Sequence, residues 1–166
     1  MLKHLLFLSF IIIGLLSYAQ VTGTPDNIDN RISIGHSELI ESKILDEKRW
    51  IWIHVPEGGE DTSFTGSYPV LYLLDGGTHF QSVTGLINQL TTANGNALLP
   101  KMIIVAILNT DRIKDLTPTH VENRPTSGGG THFLDFMEKE LMPYIEDKYP
   151  VANHKTFVGH SLGGLT

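Results

Sequence analysis

The sequence predicts an α/β protein with a mostly parallel sheet, helices on both faces and an antiparallel hairpin at its N-terminal side. Two short, continuous apolar runs, residues 70–74 and 102–108, are typical of strands that are buried on both faces. Each run is followed, directly or after a loop, by apolar residues at helical spacing. Because strands that alternate with helices form parallel pairs, we expect these runs to pair in parallel.

The predicted hairpin precedes these two strands. Residues 38–45 and 49–55 are predicted to be its strands, joined by a tight polar turn at residues 46–48. In the second strand, large side chains alternate between the two faces: Trp50, Trp52 and His54 on one, Ile51, Ile53 and Val55 on the other. A polar surface loop over residues 56–68 leads to the first buried strand.

Two longer helices are predicted from apolar residues that share one helical face. The first carries Phe80, Val83, Leu86, Ile87 and Leu90 and ends near residues 94–95. The second carries Phe133, Phe136, Met137, Leu141, Tyr144 and Ile145. Pro143 lies inside the second pattern and is expected to bend that helix, because it removes a backbone donor. Residues 109–130 form a long polar connection, and residues 156–158 a last short strand.

The N-terminal residues differ in kind from the rest of the chain. Lys3, the apolar run of residues 5–16 and the small residues around Ala19 have the layout of a secretory signal peptide. The alternative is a membrane anchor, but the run is shorter than the about 20 apolar residues that a spanning helix needs. We therefore predict a signal peptide over residues 1–19, cleaved before Gln20, a flexible lead-in over residues 20–36 and a domain over residues 37–166.

Composition excludes nucleic acid as an expected partner and excludes disulfide bonds. The 166 residues carry a net charge of −6 and no run of basic residues, so nucleic acid is not an expected partner. The chain has no cysteine and hence no disulfide or thiolate nucleophile. With the signal peptide removed, we predict an exported protein, periplasmic or secreted, with no stable membrane anchor.

One motif carries the predicted chemistry: residues 159–163 read Gly-His-Ser-Leu-Gly. Gly-x-Ser-x-Gly between a strand and a helix is the nucleophile elbow, in which a strained turn exposes the serine hydroxyl. Ser161 is the predicted nucleophile, and the backbone N–H of Leu162 is a predicted donor to the oxyanion. The alternative is a glycine-serine turn without chemistry.

A second oxyanion donor is predicted in the turn that follows the first buried strand. Asp75, Gly76 and Gly77 end that strand, and glycines let the backbone approach a ligand closely. We predict the N–H of Gly77 as the donor, against the alternative of a tight turn without function. Asp75, Gly76, His79 and Arg112 are the predicted pocket residues. Arg112 either binds a carboxylate or phenol of the substrate or is a solvated loop arginine.

No metal and no cofactor are predicted. The eight histidines show no ligand spacing such as His-Glu-x-x-His.

Four blocks in order resemble one family of esterases, which includes esterase D, ferric-enterobactin esterases and feruloyl esterases. They are residues 68–77 (YPVLYLLDGG), 109–118 (NTDRIKDLTP), 133–145 (FLDFMEKELMPYI) and 159–164 (GHSLGG). The resemblance implies an α/β-hydrolase fold and hydrolysis of carboxylic esters through an acyl-serine at Ser161, with the amides of Leu162 and the turn at residues 75–77 as oxyanion donors. Asp75-Gly76, where some relatives have His-Gly, resembles the siderophore-esterase branch more than formylglutathione hydrolases.

The order of catalytic residues leads to a further expectation. In this fold the serine is followed by an acid and then a histidine, whereas only residues 162–166 follow Ser161 here. We therefore expect an esterase fragment, truncated after the elbow and inactive by itself. The alternatives are a non-catalytic exported binding domain and an acyltransferase that uses the same serine. The expected substrate is a small ester: siderophore-like, feruloyl-like or a simple acyl ester.

Overall fold

A computed structural model describes residues 32–57, 59, 65–92 and 98–166 of the chain. Residues 33–166 form one compact unit. The predicted signal peptide, most of the predicted lead-in and the predicted end of the first helix at residues 94–95 lie outside the described residues. Within the described ranges, no helix has both the length and the apolar character that crossing a membrane requires.

A five-stranded sheet with the strand order β1-β2-β4-β3-β5 forms the centre of the fold. The strands are β1 (His36–Ser42), β2 (Glu47–His54), β3 (Tyr68–Leu73), β4 (Ile103–Ile107) and β5 (Val151–Val158). β3 pairs in parallel with β4 on one side and with β5 on the other. β1 and β2 form an antiparallel hairpin that joins β4. The predicted α/β class, with its N-terminal hairpin, is confirmed.

The hairpin turn comes earlier than predicted. Glu47 and Lys48, which we placed in the turn, already pair with β1 in the ladder. Asp46 has a left-handed backbone with φ of 53°, and this reverses the chain. The carboxylate of Glu140 accepts the N–H groups of Lys43 and Ile44 at 3.0 and 3.2 Å, so a distant helical side chain stabilises the turn.

Helical segments follow β3, β4 and the long connection. They are α1 (Gly76–Thr92), α2 (Arg112–Leu116), α3 (Gly130–Phe136), a π-helical turn (Met137–Leu141), α4 (Met142–Lys148) and a 3-10 turn (Ser161–Gly164). The predicted second helix is thus interrupted rather than simply bent. Pro143 cannot donate a backbone hydrogen bond, and the N–H of Met142 bonds to the carbonyl of Met137, five residues back.

The sheet has a packed layer of apolar side chains on each face. On one face, alternate residues of β2, β3 and β4 pack against Phe133, Phe136 and Leu141 of the α3–α4 segment. On the other face, Leu71, Leu73, Ile104 and Ala106 pack against α1 through Phe80 and Ile87. Both faces of β3 and β4 are buried, so apolar and polar residues do not alternate along either strand. The continuous apolar runs in the sequence predicted this.

The long connection between β4 and α3 contains a helix that we did not predict. Asp111 caps α2 by accepting the N–H groups of Ile113 and Lys114 at 3.1 and 3.0 Å. The end of the connection folds back onto this helix, with the N–H of Gly129 donating to the carbonyl of Lys114 at 2.9 Å. A Cβ at Gly129 would lie 2.8 Å from that same carbonyl oxygen, so the close approach requires glycine.

Candidate active site

Two turns lie side by side at the carboxyl edge of the sheet. The Asp75 turn (residues 75–77) follows β3, and the elbow (residues 159–163) follows β5. β3 and β5 are neighbours, with Leu73 opposite Val158, and the N–H of Leu74 donates to the carbonyl of Val158 at 2.9 Å. The register of the parallel pair therefore brings together the two turns that the sequence assigned to the site.

The elbow has the strained geometry that the motif predicts. Ser161 is exposed and has a φ of 54°, in the left-handed region that L-residues other than glycine rarely adopt. A Cβ at Gly159 would lie 2.1 Å from the carbonyl oxygen of Gly163, so the turn closes only over a glycine. The N–H of Gly163 donates to the carbonyl of His160 at 3.0 Å and completes the turn.

Each of the two turns has one backbone donor that remains available. Within the described part of the chain, neither the N–H of Leu162 nor that of Gly77 has a hydrogen-bond acceptor. These are the two groups that we assigned to the oxyanion. The geometry is compatible with that role, which stays a prediction.

The two glycines of the Asp75 turn have different steric roles. A Cβ at Gly76 would lie 2.8 Å from the backbone of Ala106 and Ile107, so Gly76 allows α1 to begin directly against β4. A Cβ at Gly77 would meet no atom within 4 Å. The turn therefore requires its first glycine for packing, while the second faces open space at the first turn of α1.

Asp75 is the second non-glycine residue of the site with a left-handed backbone, with φ of 54°. Its side chain is buried, and its predicted place in the pocket stays a prediction. The carboxylate accepts hydrogen bonds from Asn109 at 2.7 Å and from Arg112 at 2.6 and 2.9 Å. The hydrogen bond from Arg112 is the largest effect on this group, and it lowers the pKa of Asp75, so the carboxylate is ionised at neutral pH.

Arg112 is not the solvated loop arginine of our alternative. Its side chain is 34% exposed, and both Nε and Nη2 donate to Asp75. Nη2 also donates to the carbonyl of His160 in the elbow at 3.2 Å. Sequence reasoning missed Asn109 altogether, and nothing local to Asn109 or Arg112 indicates that Asp75 is their partner.

His79 lies at the mouth of the site, in the first turn of α1. Its ring packs edge-on against the ring of His160, with the centroids 5.8 Å apart. This contact joins α1 to the elbow, and the pocket role of His79 stays a prediction. No group of three or more His, Cys, Asp or Glu residues in the described ranges is arranged to hold a metal ion.

A wide groove also occurs at the opposite end of the sheet, where β4 and β5 begin. Gly35, His54, Lys101 and Tyr149 are among its lining residues. None of the predicted site residues lines it, and none of the described residues that line it is a serine with a left-handed backbone. We therefore assign the candidate active site to the carboxyl edge and not to this groove.

The sheet and the elbow together define a fold of the α/β-hydrolase type. The family described as "Putative esterase" matches residues 42–166, which is most of the chain. The chain belongs to this esterase family.

Individual relatives agree with this assignment. The chain is 31% identical over 160 residues to ferri-bacillibactin esterase BesA of Bacillus subtilis, which covers 86% of this chain and 55% of BesA. An IroE-like serine hydrolase of Shewanella oneidensis superposes with a TM-score of 0.74 at 39% identity, over 79% of this chain and 44% of that one.

The BES protein of Bacillus cereus superposes with a TM-score of 0.69 at 29% identity, over 81% of this chain and 54% of that one. An uncharacterized protein of Bacillus subtilis, YbbA, is 29% identical over 109 residues. The chain spans about half the length of the curated relatives that it matches, 42% of YbbA and 55% of BesA.

Proposed function

We propose that the protein is an exported serine hydrolase of carboxylic esters, with Ser161 as its nucleophile. The observation that carries the proposal is the left-handed φ of Ser161 in a turn closed over Gly159, directly beside the Asp75 turn. A fold that holds a serine in this strained conformation at the carboxyl edge of its sheet presents the hydroxyl to a bound ligand.

In the proposed reaction, Ser161 Oγ attacks the ester carbonyl carbon while a general base takes the hydroxyl proton. The carbonyl oxygen becomes an oxyanion that accepts from the N–H groups of Leu162 and Gly77. The intermediate collapses to an acyl-serine as the alcohol leaves with the proton from the base. Water then adds by the same route, releasing the acid and restoring Ser161.

The base and the acid are proposed to lie outside residues 1–166. In this fold the acid and the histidine follow the serine in the chain, and the curated relatives are about twice as long as their matched part. The 166-residue chain alone is accordingly expected not to turn esters over.

The substrate is proposed to be a small ester of the siderophore type. BesA, the relative at 31% identity, is named a ferri-bacillibactin esterase, and Asp75-Gly76 is the form of the turn that resembles siderophore esterases. Feruloyl-like and simple acyl esters are the other members of the proposed substrate class, and the test includes all three.

The test uses the protein extended through whatever coding sequence follows Thr166. Hydrolysis of ferri-bacillibactin, methyl ferulate and p-nitrophenyl acetate is measured for the wild type, Ser161→Ala and Ser37→Ala. Ser37 is an exposed serine of β1, at the far edge of the sheet, and serves as the matched control. We expect Ser161→Ala to lower kcat/KM by at least about 10³-fold, with Ser37→Ala unchanged.

Normal turnover by Ser161→Ala would overturn the assignment of the nucleophile. A wild type that binds these esters but hydrolyses none of them would favour the binding-domain alternative. Formation of a new ester when an alcohol is supplied, in place of the free acid, would favour an acyltransferase. Mass spectrometry of the acyl adduct, mapped to Ser161, tests the covalent intermediate directly.

A further inference from the structure

Arg112 connects the two turns of the site through one guanidinium group. Nε and Nη2 donate to the two carboxylate oxygens of Asp75 at 2.6 and 2.9 Å, and Nη2 also donates to the carbonyl of His160 at 3.2 Å. Among the described residues, no other side chain forms hydrogen bonds to both turns. The paired contact of a guanidinium with a carboxylate fixes orientation as well as distance.

The contact with Asp75 acts on a residue that shapes the oxyanion side of the site. Asp75 has a left-handed backbone, and its carbonyl accepts the N–H groups of Thr78 and His79 at 2.9 and 3.2 Å, which begins α1. The direction of the Gly77 N–H depends on this turn. By holding the carboxylate, Arg112 and Asn109 stabilise a backbone conformation that costs free energy by itself.

The contact with His160 acts on the serine side of the site. The carbonyl of His160 accepts both from Arg112 and from the N–H of Gly163, at 3.2 and 3.0 Å. These two hydrogen bonds flank Ser161 and Leu162. Replacing Arg112 therefore removes one of the two hydrogen bonds to this carbonyl group of the elbow.

Arg112 is itself held by the fold on the far side of the site. It begins α2, whose N–H groups are capped by Asp111. Three residues later, Asp115 forms a buried ion pair with Arg49 of β2 at 2.7 Å. A guanidinium on such an anchored helix has little freedom to follow a substrate.

We propose that Arg112 is a positioning residue that fixes the Asp75 turn against the elbow, so that the N–H groups of Gly77 and Leu162 keep one spacing around the oxyanion. This inference rests on the proposed function for its catalytic consequence. It differs from our pocket prediction, because Arg112 acts here through Asp75 and His160 and not by binding the substrate.

The test compares Arg112→Ala, Arg112→Lys, Asp75→Asn and the double variant Arg112→Ala/Asp75→Asn in the extended protein. Arg124→Ala is the matched control, because Arg124 is an exposed arginine of the same connection without a side-chain partner among the described residues. We expect Arg112→Ala to lower kcat by about 10- to 100-fold with KM changed less than about three-fold, since oriented oxyanion donors act on the transition state.

Two further comparisons separate positioning from a general structural role. Lysine cannot form the paired contact, so Arg112→Lys should recover little of kcat. The double variant should be no slower than the slower single variant within about two-fold, because both substitutions break the same unit. A substrate-binding arginine would instead raise KM, and its effect would add to that of Asp75→Asn.

A readout independent of esterase activity is the hydrogen exchange of the Gly163 amide in the elbow. Asp75 Oδ2 lies only 3.5 Å from where a Cβ of Gly163 would be, so Arg112→Ala is the more specific variant. We expect about a five-fold or larger increase in exchange in both Arg112→Ala and Asp75→Asn, with none in Arg124→Ala. Unchanged exchange in both variants would overturn the proposal.

Turnover within two-fold of the wild type in Arg112→Ala would also overturn it, even if exchange changes. If Ser161→Ala keeps its activity, the proposed function fails, and the exchange rates alone then decide whether Arg112 couples the two turns.

Discussion

Arg49 and Asp115 form an ion pair in the interior of the protein, with Nη1 and Oδ2 2.7 Å apart and side chains only 1% and 2% exposed. Arg49 lies on β2 and Asp115 on α2, so the pair attaches the short helix to the sheet. Arg49 also pairs with Glu47, and its guanidinium lies 5.7 Å from the ring centroid of Phe133. A five-residue helix has little stability alone, and this pair supplies its tertiary anchor.

Removing one partner of this pair is expected to be costly. Asp115→Ala leaves the guanidinium of Arg49 buried with only Glu47 to balance its charge, and such a loss typically costs about 3–5 kcal/mol. Urea unfolding at neutral pH measures the change in the free energy of unfolding. The control is Lys139→Ala, which breaks an exposed pair with Asp135 on the α3–α4 segment and should cost at most about 0.5 kcal/mol.

An apolar replacement of the whole pair separates the cost of an unpaired charge from the cost of lost packing. Arg49→Met combined with Asp115→Leu should lose less stability than Asp115→Ala alone, because no buried guanidinium then lacks its carboxylate, and Glu47 is partly exposed and keeps Lys114 as a partner. A double variant at least as unstable as Asp115→Ala would show that the pair itself, and not the avoidance of an unpaired charge, stabilises α2.

The strain at Ser161 predicts a gain in stability when the side chain is removed. The left-handed backbone at Ser161 costs about 1–2 kcal/mol for a residue with a Cβ, and Ser161→Gly removes this cost. The greater freedom of glycine in the unfolded chain offsets about 0.5–1 kcal/mol of that gain. We expect Ser161→Gly to be about 0.5–1 kcal/mol more stable than Ser161→Ala, which keeps the strain. Both variants should lack activity. Equal thermal unfolding of the two variants would contradict a strained elbow.

The adjacent glycines of the Asp75 turn provide a matched pair of substitutions. Gly76→Ala places a methyl group 2.8 Å from the backbone of β4 and should cost about 1–3 kcal/mol through overpacking. Gly77→Ala has open space and lies in the first turn of a helix, so its stability should stay within about 0.5 kcal/mol. It also keeps the backbone N–H, and turnover in the extended protein should persist. Urea unfolding of the two variants decides between these expectations.

Acid sensitivity is expected from Glu38, which joins β1 to the end of α4. Partial burial of Glu38 acts to raise its pKa, but hydrogen bonds from Tyr144, Lys148 and Tyr149 outweigh burial and lower the pKa from 4.5 to about 2. Because the folded pKa is the lower one, Glu38 stabilises the fold above pH about 4.5, and this contribution is lost as the pH falls towards 2.

The substitution Glu38→Gln tests this contribution. It should cost about 1–2 kcal/mol at pH 7, after allowance for solvent screening, and should flatten the fall in stability between pH 4.5 and 2. Glu41→Gln, an exposed position on the same strand, is the control and should leave the pH profile unchanged. An equally steep acid transition in Glu38→Gln would place the acid sensitivity elsewhere.

The parts of the fold that the sequence predicts are those whose signal is local. β3 and β4 read as continuous apolar runs because both their faces are covered. β5 was predicted only over residues 156–158, whereas it extends from Val151 to Val158. Its polar residues Lys155 and Thr156 lie in the strand because they pair with Val70 and Leu71 of β3, and the local sequence does not indicate this pairing.

The site was predicted to the extent that it depends on a short motif. The strained turn at Ser161 follows from the spacing of Gly159 and Gly163 around it. The contact of Arg112 with Asp75 joins residues 37 positions apart, and any acidic side chain could have been the partner. Only the register of β3 against its neighbours selects Asp75, and register is a property of the folded chain.

The parallel pairing of β3 with β5 has a consequence for how the protein folds. It joins Leu73 to Val158 across more than half of the chain, and closing so long a loop costs entropy before any contact offsets it. Contacts of high sequence separation form slowly, whereas the β1–β2 hairpin is local and can form early. We therefore expect the elbow to reach its place beside the Asp75 turn late in folding, so that a chain whose hairpin has already formed is still without a site.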